Sequence, residues 1–65
     1  METISLTIPN MKSPHCQMTV TNVVKALGGT IKSVEPAKAT IELNDGLTRD
    51  AVIRAIEQAG YKVNN

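Results

Sequence analysis

Phenylalanine and tryptophan are absent from this chain, and Tyr61 is its only aromatic residue. A single-stranded nucleic-acid platform stacks bases on exposed rings, so no nucleic-acid partner is expected. Cysteine is as scarce. With Cys16 as the one thiol no internal disulfide can form, nothing demands an oxidising compartment, and a cytoplasmic setting is the expectation. Charge of one sign is missing too: seven basic and six acidic residues leave a net +1, too little to steer the chain to a polyanion. No apolar run reaches transmembrane length. The opening Met1-Glu2-Thr3-Ile4-Ser5 lacks the basic-then-apolar order of a secretory leader, so direct membrane insertion is not expected either.

What remains is ordinary globular composition, 42% hydrophobic and 20% charged, in 65 residues. That length gives a single domain, residues 1–65, burying only about 60% of its unfolded surface. Ile4, Leu6 and Ile8 alternate with Thr3, Ser5 and Thr7, the period-two pattern of a strand with one buried face, ended by Pro9-Asn10. Ser13 then reads as a helix N-cap and Pro14 as the first helical residue. Val20, Val23, Val24 and Leu27 follow at helical spacing, with Cys16 one turn before Val20, until Gly28-Gly29 stops the helix. Ile31 and Val34 mark a second strand, and Ala39, Ile41 and Leu43 a third, joined through Glu35-Pro36-Ala37. Asn44-Asp45-Gly46 breaks the third strand. Thr48 caps a second helix with Val52, Ile53, Ile56 and Ala59 as its apolar stripe, and Gly60 precedes a short last strand, Tyr61-Lys62-Val63.

The order strand, helix, strand, strand, helix, strand predicts an α+β, ferredoxin-like βαββαβ fold. Two helices would cover one face of a four-stranded antiparallel sheet. The expected core sets Ile4, Leu6, Ile8, Ile31, Ile41 and Leu43 against Val20, Val24, Leu27, Val52, Ile53 and Ile56. Because this fold hosts many functions, the functional argument rests on one segment.

That segment is Asn10 to Val20. It brings Met11, His15, Cys16 and Met18 together where a strand meets a helix, and soft sulfur donors there suit a thiophilic ion. A thiol in the first helical turn has its thiolate favoured by free amides and by the helix dipole. Cysteine is also a common core residue, and Ser13 is sufficiently explained as a cap. Met11 reads as a hydrophobic plug under the loop. His15 is next to Cys16 rather than one turn away, and Met18 lies off the Cys16 face. A catalytic cysteine needs a base and an orienting group, so no enzyme is expected.

Met11-Lys12-Ser13-Pro14-His15-Cys16, followed by Val20, Ala26-Leu27 and Ala55-Ile56-Glu57-Gln58-Ala59-Gly60-Tyr61, resembles the heavy-metal-associated domain of copper chaperones, mercury carriers and metal-pumping ATPases. The likeness runs from Ile4 to Val63. The family pattern is Met-x-Cys-x-x-Cys, followed by a tyrosine-bearing loop beside the metal. The resemblance implies that Cys16 is the second ligand, Met11 the buried methionine and Tyr61 an aromatic beside the ion. Ser13 stands where the first thiol belongs, either by nature or by engineering. It also implies a carrier of Cu(I), or of Ag(I), Hg(II), Zn(II) or Cd(II), that passes its ion by ligand exchange to a metal-transporting ATPase or a similar domain, with Lys12, Lys25 and Lys62 as steering charges.

A serine hydroxyl is hard and stays protonated, so Ser13 does not replace a thiolate. Three outcomes stay open: a monomer binding weakly through Cys16 with help from His15 or Met18, a homodimer bridged by metal between two Cys16 thiolates, or a dead site. A metal-silent interaction module and a module joined by a Cys16 disulfide are the competing readings.

Overall fold

Alternation shapes the first strand. In the computed structural model, which describes residues 2–44 and 46–64, β1 spans Glu2–Thr7 and turns Ile4 and Leu6 inward while Thr3, Ser5 and Thr7 face solvent. Helix α1 (Pro14–Ala26), strands β2 (Thr30–Glu35) and β3 (Lys38–Leu43), and helix α2 (Arg49–Gln58) follow. The sheet order is β1-β3-β2, antiparallel throughout. Ile4 pairs with Ile41 and Leu6 with Ala39, so two inward rows face the helices together.

Both helices start as their caps dictate. Ser13 and Thr48 hold extended backbone, and their hydroxyls accept from the amides of Cys16 and Ala51. Each such cap contributes about 1 kcal/mol. Val20 and Val24 of α1 and Val52 and Ile56 of α2 are fully buried against the sheet residues. Full burial of one such side chain contributes about 1.5–3 kcal/mol, so two anchors per helix suffice to seat it.

One spacing has a local cause. Ile31 and Val34 lie three apart, yet Ile31 pairs with Ile41 and Val34 with Ala39, which share a face. A register shift between Ile31 and Ser33 makes this possible, because an extra residue in the bulge restores the inward side.

Four expectations are corrected. No fourth strand forms over Tyr61-Lys62-Val63; among the described residues only an isolated antiparallel bridge, Asn64 to Thr7, stands in its place beside β1. The Tyr61 amide is instead directed back to the carbonyl of Ile56 at 3.3 Å. Leu27 is 38% exposed, because it is the C-cap of α1 where the chain turns away from the core. Ala59 is exposed as the C-cap of α2 for the same reason. Ile31 and Ile53 are only half-buried at the rim of the cluster. Asp45, expected in the turn after β3, lies outside the described residues.

Candidate metal site

Three backbone hydrogen bonds shape the loop between β1 and α1. Ile8 donates to the carbonyl of Ala37 at 2.9 Å, Met11 donates to Ile8 at 2.9 Å, and Ala37 donates to Met11 at 2.7 Å. The Met11 side chain is fully buried beneath them, as a plug should be. Anchored in this way, the chain enters α1 through Ser13, whose carbonyl accepts from Gln17 at 3.0 Å and whose hydroxyl accepts from the Cys16 amide at 3.3 Å.

Cys16 is therefore held in the first turn, half-buried and packed against the core rim. No acidic side chain occupies that turn to offset the positive end of the helix. From the other side, Gly60 takes φ 101° to turn the chain, and the half-buried Tyr61 packs against the same rim. The hydroxyls of Ser13 and Tyr61 both act on the Cys16 sulfur and hold its thiol below the ordinary cysteine range, against the opposing effect of partial desolvation. Tyr61 responds in the opposite sense: the Cys16 sulfur and partial burial raise its phenol. A hydroxyl that donates to a thiolate stabilises the charged sulfur and binds its own proton more firmly.

Thr19 joins this group without having been expected there. Its hydroxyl donates to the carbonyl of His15 at 3.1 Å and also acts on the Tyr61 phenol, in the lowering direction. The signal in the sequence is its position three residues after Cys16, on a neighbouring part of the same helix face.

The structure thus brings together Cys16, Ser13 and Tyr61, with Met11 below. Lys12 and His15 are exposed next to them, and Lys62 is exposed in a shallow groove lined by Glu57, Gly60 and Tyr61. Lys25 is not part of the site: nine residues of helix at ~1.5 Å each put it about 14 Å along the axis from Cys16. Met18 projects into solvent. Among the described residues no three His, Cys, Asp or Glu side chains converge on one point, and no helix is long and apolar enough to cross a membrane.

Among solved structures, the chain is similar to the copper chaperone Atx1 from Synechocystis PCC6803, in a Cu1, trimeric form of a histidine-to-tyrosine mutant. The two are 30% identical over 94% of this chain and 98% of that one, with a TM-score of 0.77. The chain belongs to the heavy-metal-associated domain family. Oxidized MerP from Ralstonia metallidurans CH34 shares the heavy-metal-associated fold at a TM-score of 0.81, with 24% identity over 97% of this chain and 93% of that one. No family model and no curated protein matches the chain. For a heavy-metal-associated domain the geometry above has a plain reading: strand, plugged loop and helix cap present one thiol at the surface with its thiolate favoured.

Proposed function

We propose that this domain, residues 1–65 acting as one unit, carries a soft ion in the cytoplasm, Cu(I) first and Ag(I), Hg(II), Zn(II) or Cd(II) as related cargo, with Cys16 as principal donor. The observation that carries the reading is the placement of Cys16 in the capped first turn of α1, packed with Tyr61 on the rim of the core and preceded by the buried Met11, where the Ser13 and Tyr61 hydroxyls lower its thiol. Ser13 stands at the position of the missing thiol, so a second donor comes from elsewhere: the Cys16 thiolate of a second chain in a metal-bridged homodimer, or His15 of the same chain. The partner is a metal-transporting ATPase or a similar domain. Its incoming thiolate forms a sulfur–metal bond as the Cys16 sulfur–metal bond breaks, and Cys16 is left as a thiolate that the two hydroxyls stabilise. Lys12 and Lys62 lie beside the site and favour an anionic complex or an acidic partner surface. No catalytic step is proposed.

A metal-silent interaction module is the second reading, favoured by the use of Ser13 as a working helix cap. Anaerobic Cu(I) titration against a chromogenic competitor, with solution mass, separates the two in this protein and in Ser13→Cys. Weak binding here and tight one-per-chain binding in Ser13→Cys supports a carrier with a broken ligand pair. Half an ion per chain with doubled mass supports the Cys16-bridged dimer, and no binding by either protein supports the silent module.

A further inference from the structure

The inward anchors of α1 are Val20 and Val24, yet Met18 of the same helix is 63% exposed. Methionine is usually spent on packing, whereas here its thioether stands in water. Successive residues turn by about 100° around a helix axis, which puts Met18 about 160° away from Cys16 and only about 60° from His15. His15 is exposed as well. Its carbonyl accepts from Thr19, while among the described residues neither its imidazole nor the Met18 sulfur has a hydrogen-bond partner.

Two free soft or borderline donors therefore share one outward face, one helical turn apart. Side chains at this spacing have Cβ atoms about 5–6 Å apart and can close on a common ion. Thioether sulfur selects Cu(I)-like ions and imidazole accepts them, while a hard cation such as Mg(II) or Ca(II) wants oxygen. No carboxylate occupies this first turn to supply it.

We propose that His15 and Met18 form a second ion site on the outer face of α1, taking Ag(I) or Cu(I) between an imidazole nitrogen and the thioether sulfur without Cys16. The site gives His15 to Met18, so it stands beside a Cys16 ion completed by a second chain's thiolate, or beside a silent Cys16, and excludes His15 as the second donor to Cys16.

The test uses the full chain with Cys16→Ser and Ag(I) as the probe, followed by calorimetry and by NMR of the His15 ring and the Met18 methyl. Binding of one Ag(I) per chain, with both resonances moving together, is expected. Met18→Leu keeps an apolar side chain and removes only the sulfur; it should weaken binding by roughly tenfold or more, as should His15→Phe. Dispersed amide spectra confirm that these surface variants are folded. The proposal is overturned if Cys16→Ser takes up no Ag(I), or if its Ag(I) binding is unchanged by Met18→Leu or by His15→Phe.

Discussion

The backbone N–H of Ala37 donates to the carbonyl oxygen of Met11 at 2.7 Å, so the turn of the β2–β3 hairpin holds the loop that leads to Cys16. Ala37 makes this bond at φ 68°, the left-handed region, with Pro36 before it. An L-residue there costs about 1–2 kcal/mol, and glycine's extra freedom in the unfolded chain costs about 0.5–1 kcal/mol. Ala37→Gly should therefore stabilise the domain by roughly 0.5–1 kcal/mol, seen as a higher urea midpoint at constant slope. Ala37→Pro removes the donor and forbids the positive φ, so its midpoint should fall. A lower midpoint for Ala37→Gly would show that this turn stores no strain.

Met11 fills the space beneath the same loop and is fully buried. Met11→Ala should cost about 2–5 kcal/mol, and Met11→Leu less than about 1.5 kcal/mol because volume is conserved. Equal losses in the two variants, measured by thermal unfolding, would remove the plug role.

Gly29 is packed rather than merely flexible. A Cβ there would lie 2.8 Å from Val24 Cγ1 and 3.1 Å from Leu47 Cδ2. Val24 is fully buried and stiff at χ1, so it has little room to yield. Gly29→Ala should destabilise by about 1–3 kcal/mol in chemical denaturation, the usual range for overpacking.

Cys16 and Tyr61 shift in opposite directions, which gives the metal-free protein a defined pH response. The Cys16 pKa is lower folded than unfolded. Its contribution to stability is fully present above the unfolded thiol pKa and is lost as pH falls through the folded value. The Tyr61 pKa is higher folded than unfolded, so its contribution is present below the unfolded phenol pKa and lost as pH rises through the folded one. Stability from the pair should therefore peak in alkaline solution, between the two ordinary values. Tyr61→Phe and Ser13→Ala should each move the thiolate absorbance titration of Cys16 to higher pH. Ser13→Ala should also lose the cap, about 1 kcal/mol. A titration unmoved by both substitutions would dismiss the hydroxyls as the cause.

Much of this was legible in the residues because local rules and tertiary packing agree. Ser13-Pro14 and Thr48 started the helices as expected, and the Ile4, Leu6, Ile41, Leu43 alternation became the inner face of the sheet. Apart from Ile53, which lies mid-helix at the rim of the core, misreadings gathered at element ends, where a side chain can leave the periodic face. Leu27 and Ala59 fit the helical repeat but sit on caps. Tyr61-Lys62-Val63 has strand character, yet the Tyr61 amide turns back to Ile56, and its side chain packs on the rim of the core that Cys16 shares. The tie between Ala37 and Met11 joins residues far apart in the chain, and no local pattern announces such a contact.

The single bridge from Asn64 to Thr7 has a consequence for how the sheet breathes. Ile8 donates toward the hairpin while the Thr7 carbonyl accepts from Asn64 on the other side, so backbone groups alternate along β1. Ile4 and Leu6 then bond inward to β3. Thr3 and Ser5 direct their amides to an edge that has no neighbouring strand among the described residues. In deuterated water Thr3 and Ser5 should exchange almost as fast as loop amides, while Ile4 and Leu6 wait for the whole domain to open. Four consecutive residues of one strand would thus alternate between the quickest and the slowest clocks in the protein.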